Sequence, residues 1–384
     1  MKRSDRRALL IAPNGFKETL SSLRVARAMA AGARRALPTD EVISFPMSDG
    51  GRGFLATLKA LQPGLRRHQK TVRPPVGRRR PAFFFEDEKG AAYAEMAEVA
   101  GIHLVPEAAR CPATLSSHGV GELMRAIMAR PSVRDIVIGL GDTATLDGGS
   151  GILAALGVKL LNRQGEPVAP GNLGLGQAAR LDLSELSPDL QAFAARGGRI
   201  VCACDVSNPL LGPSGAVYTF ALQKGAKPAE LPQLEANLRR WADLLEATLG
   251  RQARDLPGAG AAGGAGFALA AGLGAELVSG AQWLTSLPIF QAALTQAKAI
   301  VTGEGQLDQQ SLSGKTAGFL TTLGRARNTP VIAFAGRVAL AEADWRAAGF
   351  TAVYELPPHP PKQAYRVLSA CVADSFARSG FGAT

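Results

Sequence analysis

The sequence has few cysteines, few histidines and few aromatic residues. Its cysteines, Cys111, Cys202, Cys204 and Cys371, include no pair with CxxC or zinc-finger spacing, and its four histidines are scattered. These spacings argue against a zinc site built from clustered cysteines and histidines. Aromatic residues make up 6% of the chain and are not interleaved with its basic residues, which argues against a stacking platform for single-stranded nucleic acid.

Long apolar segments are also absent. No uninterrupted apolar run approaches the ~18 residues of a transmembrane helix. The first apolar run is short and enters a loop at Pro13, unlike the pattern of a signal peptide. Cys202 and Cys204 lie two residues apart in an apolar run, as expected for buried thiols in a reducing compartment. We therefore expect a cytoplasmic protein.

Positive charge is in excess, with a formal net charge of +11. It concentrates at the N-terminal tip and between Arg66 and Arg80. A basic patch can bind nucleic acid, attract an anionic substrate or form a solvated face. The sequence favours a solvated basic edge first and attraction of an anionic substrate second, so neither nucleic acid nor a membrane is expected as a partner.

The length and the pattern of apolar residues predict two α/β domains. A chain of 384 residues exceeds one ordinary core. Both ends alternate strand-like apolar runs with amphipathic helices, which indicates a parallel sheet with right-handed crossovers. The strand-like runs are residues 8–13, 41–47, 299–305, 331–336 and 351–356. We predict one domain built from residues 1–75 and 286–384, with a mixed α/β domain, residues 76–285, inserted into it.

Five glycine-rich loops that contain carboxylates or lysines follow predicted strands. They are APNGFK (12–17), SDGGRG (48–53), GLGDTATLDGGSG (139–151), CDVSNPLLGPSGA (204–216) and TGEGQLDQQSLSGK (302–315). Glycine lets a backbone approach phosphate closely, and open α/β sheets bind ligands at the carboxyl ends of their strands. Phosphoryl transfer needs such amides, cations and metal-binding carboxylates. The loops therefore predict a phosphotransferase that acts on a small acidic substrate.

Three common motifs do not fit the sequence. SLSGKT ends like a P-loop, but Gln309 stands where the leading glycine belongs. GLGDTA resembles a dinucleotide fingerprint, but Ala144 stands at its third glycine. No GxSxG elbow is present. A P-loop NTPase, a nicotinamide dehydrogenase and an α/β-hydrolase are therefore disfavoured.

Taken in order, these loops together with EMAEVAG, QKGA and PGAGAAGGAG resemble the signature segments of bacterial glycerate kinases, from about residue 9 to residue 375. The resemblance implies a Rossmann/flavodoxin-like domain with an inserted second domain. It also implies transfer of the ATP γ-phosphate to a hydroxyl of glycerate, with a divalent metal and 2-phosphoglycerate as the product. Two alternatives stay open: a kinase of another hydroxy acid or sugar acid, and a non-catalytic relative that binds a nucleotide or an acid. They stay open because the chain departs from the family pattern at several positions, among them Asn14, Arg52, His118, Asp142, Leu146 and Gln306.

The resemblance and the chemistry of phosphoryl transfer together suggest a role for each polar loop residue. Lys17 or Lys315 would neutralise the transferring phosphoryl group. Asp49 or Asp147 would accept the proton of the acceptor hydroxyl or hold that hydroxyl in line. Arg52 would pair with the substrate carboxylate.

The remaining loop residues are assigned to metal binding and to substrate and phosphate binding. The candidate Mg²⁺ ligands are Asp205, Glu304 and Asp308. The other candidate substrate- and phosphate-binding residues are Gly50, Gly51, Gly139, Gly141, Thr143, Thr145, Gly148, Gly149 and Asn208. ATP and a small hydroxy acid are the expected partners of a protein that is a monomer or a homodimer.

Overall fold

The structure is a computed structural model that describes residues 8–16, 19–312 and 315–378. The chain forms two compact units. Unit 1 comprises the described residues of Met1–Asp49, Ala56–Leu61 and Ser279–Thr384, and unit 2 comprises Gly50–Leu55 and Gln62–Val278. No helix in the described ranges is long and apolar enough to cross a membrane.

Unit 1 contains a five-stranded parallel sheet in the order β13-β12-β11-β1-β2. Its strands are Ala8–Ile11 (β1), Glu41–Ser44 (β2), Ala297–Leu307 (β11), Val331–Val338 (β12) and Ala352–Glu355 (β13). Its helices are Ser22–Ala36 (α1), Phe54–Leu61 (α2), of which unit 1 holds Ala56–Leu61, Gly280–Ser286 (α11), Pro288–Gln296 (α12), Gln309–Leu312 (α13), Thr316–Arg327 (α14), Glu342–Ala348 (α15) and Ala364–Arg378 (α16).

The strand predictions for the chain ends are confirmed, with shorter bounds at some strands. All four residues of β1 are buried, as expected for a central parallel strand covered on both faces. The predicted strand 41–47 ends at Ser44. The chain nevertheless continues beside β1, because the Phe45 and Met47 amides donate to the carbonyls of Ile11 and Pro13.

One glycine lets two helices of unit 1 pack closely. A Cβ atom at Gly32 of α1 would lie 2.3 Å from the Ser369 carbonyl oxygen of α16. Arg35 fixes the same contact by donating to that carbonyl at 2.8 Å. The two terminal segments of the chain are thereby joined in one apolar core, which includes Met29 and Phe376.

Unit 2 is built on a six-stranded mixed sheet in the order β10-β9-β6-β5-β4-β3, with a small hairpin of β7 and β8. The strands are Arg66–Val72 (β3), Arg80–Glu86 (β4), Ala91–Glu95 (β5), Asp135–Gly139 (β6), Lys159–Leu161 (β7), Arg180–Asp182 (β8), Arg199–Cys204 (β9) and Glu276–Ser279 (β10), of which unit 2 holds residues 276–278. The helices are Met96–Ala100 (α3), His118–Met128 (α4), Ser150–Ala155 (α5), Asn172–Leu175 (α6), Pro188–Ala195 (α7), Ala216–Phe220 (α8), Leu231–Leu249 (α9) and Ala261–Leu273 (α10).

The basic run beginning at Arg66 forms strand β3, at the edge of the unit 2 sheet. The sequence did not predict this strand, because its residues are polar and lack an apolar alternation. Two of its charges are partly compensated by protein contacts: Arg67 lies 3.5 Å above the Phe83 ring, and Arg66 lies 3.7 Å from the buried carboxylate of Glu86. A charged edge strand also discourages pairing with other sheets.

Candidate functional site

Two carboxylates converge on one hydroxyl at the end of β11. Ser311 Oγ donates to Glu304 Oε2 at 2.8 Å and lies 3.3 Å from Asp308 Oδ1. Asp308 also accepts the Ser311 amide at 3.1 Å and the Gln306 side chain at 3.0 Å. The arrangement arises because β11 continues past the end of β1 and then turns into the short helix α13.

The two carboxylates have opposite pKa shifts. Burial raises the pKa of Glu304 to about 7, against the opposing effects of Ser311, Lys315 and the Ala317 amide. Burial also acts to raise the pKa of Asp308, but the Ser311 amide, the Gln306 side chain and the Lys315 charge leave it below its ordinary value. Near neutral pH, Asp308 is therefore ionised, whereas Glu304 is close to its pKa.

Lys315 lies at the start of α14, near both carboxylates. Its Nζ donates to Gln310 Oε1 at 3.3 Å. Its charge favours the ionised forms of Glu304 and Asp308. Lys17, the alternative predicted cation, lies outside the described residues.

These residues fit a magnesium ion by the chemistry of their donor set. Among residues 8–16, 19–312 and 315–378, no three His, Cys, Asp or Glu side chains are grouped as a metal site. Mg²⁺ is nevertheless commonly bound by one or two carboxylates together with phosphate oxygens and waters. Glu304 and Asp308 supply such a pair in unit 1, whereas Asp205, the third predicted ligand, directly follows β9 in unit 2.

In unit 2, Asp147 is the buried anchor of the loop 139–151. Its side chain is 0% exposed and accepts four hydrogen bonds. Oδ2 accepts the Ser117 amide at 2.7 Å, the Ser117 hydroxyl at 2.9 Å and the Gly151 amide at 3.2 Å, and Oδ1 accepts the Gly149 amide at 3.2 Å. Burial raises its pKa against these bonds. The carboxylate thus ties the start of α4 to the start of α5.

Gly148 and Gly149, two of the predicted phosphate-binding residues, direct their amides into the protein. The Gly148 amide donates to the Gly263 carbonyl at 3.0 Å and the Gly149 amide to Asp147. Both residues adopt positive φ, and a Cβ atom at Gly148 would lie 2.6 Å from the Trp241 ring. Their amides are therefore not directed at a ligand in this conformation, and packing accounts for the glycines.

Lys224 supports the same loop from inside unit 2. It is 3% exposed, and its Nζ donates to Thr143 Oγ1 at 3.1 Å and to the Thr145 carbonyl at 2.8 Å. Burial lowers its pKa to about 7, opposed by the charges of Asp147 and Asp142. Thr143 and Thr145, both predicted ligand residues, are thereby fixed as a pair.

The segment Gly50–Leu55, which joins the end of the SDGGRG loop to the start of α2, is held by two carboxylates. Asp142 Oδ2 accepts the Arg52 amide at 3.0 Å. Glu95 accepts the Gly53 amide at 3.0 Å and the Leu55 amide at 3.1 Å. Burial raises the pKa of Glu95 to about 7 despite these amides.

Close backbone contacts explain the glycines in this segment and those in the loop that packs against it. A Cβ atom at Gly139 would lie 2.4 Å from the Gly50 carbonyl oxygen, and one at Gly141 would lie 2.5 Å from the Gly51 Cα. Gly50 itself has φ +83, and its Cβ would lie 2.1 Å from the Ala203 carbonyl oxygen. The SDGGRG and GLGDTATLDGGSG loops are therefore in direct backbone contact within unit 2.

The remaining predicted residues lie at the ends of β2 and β9. Asp49 is half-buried and precedes Gly50, the first residue of unit 2. Asn208 is also half-buried, and its side chain donates to the Ser214 carbonyl at 2.6 Å. Arg52 is exposed beside Asp142.

Four residues of these clusters had no predicted role: Ser117, Ser311, Glu95 and Lys224. The last two lie in EMAEVAG and QKGA, two of the segments that carry the resemblance to bacterial glycerate kinases. In the sequence, each stands out as a charged residue within a mostly apolar or small-residue segment. This pattern does not indicate which residue would be its hydrogen-bond partner.

Glycine loops, carboxylates and a lysine at the carboxyl ends of parallel strands define an α/β protein of the phosphotransferase class. The sequence pattern of the glycerate kinase family matches residues 9–372. The chain is 35% identical to glycerate kinase of Halalkalibacterium halodurans, over 90% of this chain and 88% of that protein. It is 36% identical to glycerate 2-kinase of Escherichia coli K12, over 85% of this chain and 84% of that protein.

A solved structure agrees with these sequence comparisons. The crystal structure of the "putative glycerate kinase 2" from Salmonella typhimurium LT2 superposes with a TM-score of 0.82 at 34% identity, covering 98% of this chain and 99% of that one. The chain belongs to the glycerate kinase family. Membership of a kinase family implies the use of ATP.

Proposed function

We propose that this protein transfers the γ-phosphate of ATP to a hydroxyl of glycerate and produces 2-phosphoglycerate. Membership of the glycerate kinase family supports the reaction, and a relative named glycerate 2-kinase supports the position of the phosphate. The observation that carries the proposal is the pair of carboxylates, Glu304 and Asp308, joined by Ser311 at the end of β11.

In the proposed site, Glu304 and Asp308 hold Mg²⁺, which when bound neutralises charge on the phosphate oxygens of ATP. Asp308, with its lowered pKa, is ionised and ready to bind a cation at neutral pH. Lys315 lies close enough to affect both carboxylates. A compact ammonium in this position would attract and orient the transferring phosphoryl group, and Lys17 is proposed for the same task.

On the acceptor side, we assign the glycerate hydroxyl to Asp49 and the glycerate carboxylate to Arg52. Asp49 is half-buried at the end of the β2 segment. Arg52 is exposed, and Asp142 fixes its backbone. Asp147 was the alternative for the hydroxyl, but its carboxylate is fully buried and accepts four protein hydrogen bonds. We therefore assign Asp147 a positioning role, and Asp205 stays a candidate for metal binding.

The direct test offers purified protein Mg-ATP and a panel of small hydroxy acids that includes glycerate, while ADP release is measured. Glycerate is expected to give the highest kcat/KM, and phosphorus NMR of the product is expected to show the 2-phosphate. No ADP release above background with any acid, at high enzyme concentration, would refute the kinase assignment. A higher kcat/KM with another acid would move the assignment to that substrate.

Two substitutions test the assigned carboxylates. Asp308→Asn and Asp49→Asn are each expected to lower kcat at least ~100-fold, because one removes a metal ligand and the other the group that positions or deprotonates the acceptor hydroxyl. Asp374→Asn is the matched control, since Asp374 is exposed on α16. A variant that keeps a near-normal kcat would remove its residue from the site.

A further inference from the structure

Lys224 is a buried cation whose hydrogen-bond acceptors are both uncharged. Its Nζ donates to the Thr143 hydroxyl at 3.1 Å and the Thr145 carbonyl at 2.8 Å. A lysine ammonium has three donors, so these two contacts leave one N–H. Burial of an ammonium without direct ion pairing is costly, and an apolar side chain of similar volume is often no less stable at such a position. Fold stability alone therefore does not account for a lysine here.

The backbone around Lys224 fixes its position tightly. Lys224 ends the 3₁₀ turn Leu222–Lys224, and Gly225 follows with φ +98. A Cβ atom at Gly225 would lie 2.5 Å from the Arg110 carbonyl oxygen. The left-handed glycine and this close contact leave little freedom for the main chain, so the ammonium is aimed at Thr143 and Thr145.

The contacts of Lys224 lead along the chain to the proposed substrate residues. Thr143 pairs with Gly101, and the Ala144 amide donates to the Ala100 carbonyl at 2.9 Å. Asp142, adjacent to Thr143, has φ +52 and accepts the Arg52 amide. The position of Arg52 thus depends on Asp142, whose strained backbone is held in turn by the fixed Thr143.

We propose that Lys224 is a positioning residue for phosphoryl transfer. It holds the Thr143–Thr145 segment from inside unit 2 and thereby fixes Asp142 and Arg52. It also places a cation beneath the loop that binds an anionic group of the substrate. The inference rests on the proposed kinase function. The proposed role of Lys224 requires only that the substrate place an anionic group, a carboxylate or a phosphate, on the outer side of the loop. In its protonated form, Lys224 has a third N–H and a positive charge, and both favour such a group.

The test compares Lys224→Met with two controls by measuring kcat/KM for glycerate with Mg-ATP, well below each melting temperature. Lys224→Met is expected to lower kcat/KM about 100-fold, the scale of a misplaced positioning group. Lys227→Met changes an exposed lysine three residues away and is expected to match the wild type. Glu246→Gln weakens a buried carboxylate that binds Ala253 and Arg254. It is expected to lower the melting temperature while keeping kcat/KM within threefold.

A double-mutant cycle separates positioning from general destabilisation. Thr143→Val removes the hydroxyl that Lys224 binds and keeps the shape of the side chain. It is expected to lower kcat/KM in the wild-type background but to have little further effect in Lys224→Met, because the interaction is already lost. An equal reduction in both backgrounds would overturn the proposal, as would a folded Lys224→Met within threefold of wild-type kcat/KM. If Lys224→Met does not fold, an unchanged kcat/KM in Thr143→Val alone overturns it.

The wild-type protein separates the two conclusions. A wild type that does not phosphorylate glycerate refutes the proposed function. A wild type that does, together with an unaffected Lys224→Met, refutes only the role of Lys224.

Discussion

Asp147→Asn tests whether the central loop of unit 2 depends on one buried carboxylate. An asparagine keeps one acceptor oxygen and replaces the other with a donor amide. Because Oδ2 accepts three hydrogen bonds and Oδ1 one, the amide nitrogen is expected to take the Oδ1 position and face the Gly149 amide. That substitution leaves two buried donors pointing at each other.

The magnitude follows from the bonds that change. Both facing donors lose their acceptor, and each unsatisfied buried donor costs about 1–3 kcal/mol. The three bonds from Ser117 and Gly151 also lose their charge assistance, which weakens them. Removing a buried negative charge offsets part of this, because burial raises the pKa of Asp147. We expect a net loss of about 2–3 kcal/mol in the free energy of unfolding, or roughly 4–12 °C in the melting temperature of a domain of this size.

Thermal unfolding followed by circular dichroism measures this loss. Asp255→Asn makes the same chemical change at an exposed position of unit 2, and its free energy of unfolding is expected to change by less than ~0.5 kcal/mol. If Asp147→Asn melts within about 1 °C of the wild type, the carboxylate does not hold the loop as the structure indicates, and its assignment to the substrate hydroxyl returns.

Two further predictions concern the SDGGRG loop. Burial raises the pKa of Glu95 to about 7, so its contribution to stability is present below about pH 4.5 and is lost as pH rises through about 7. Denaturant unfolding at about pH 5 and pH 8 measures this loss, which is up to about 3 kcal/mol in the free energy of unfolding of the wild type. Glu95→Gln should lack it. An equal pH dependence of stability in the variant and the wild type would contradict the conclusion that burial raises the pKa of Glu95. Gly141→Ala should cost about 1–3 kcal/mol and lower kcat/KM, because its Cβ would lie 2.5 Å from the Gly51 Cα. Gly64→Ala, which has no atom within 4 Å of the added Cβ, is its control and should be near neutral; equal effects of the two would refute the close contact.

The sequence by itself determined the elements that depend on local periodicity. The predicted strand-like run 331–336 lies within β12, Val331–Val338. Strand β1 was recognised because a continuous apolar run is typical of a parallel strand buried on both faces. The alternation of such runs with helices at both chain ends indicated the parallel sheet of unit 1, and the ordered loops indicated the family. The domain boundaries at residues 75 and 285 and the residue roles stay predictions.

Only the tertiary structure decided which loop residues are held by which partners. The contacts that shape the loops join residues far apart in the chain: 30 positions separate Ser117 and Asp147, 81 separate Thr143 and Lys224, and 90 separate Arg52 and Asp142. No local pattern encodes such a contact, because burial and hydrogen-bond partners are set by how distant elements pack. For this reason the sequence left Asp49 and Asp147 as alternatives for the acceptor hydroxyl, and Lys224 had no predicted role until the fold placed its ammonium beside Thr143.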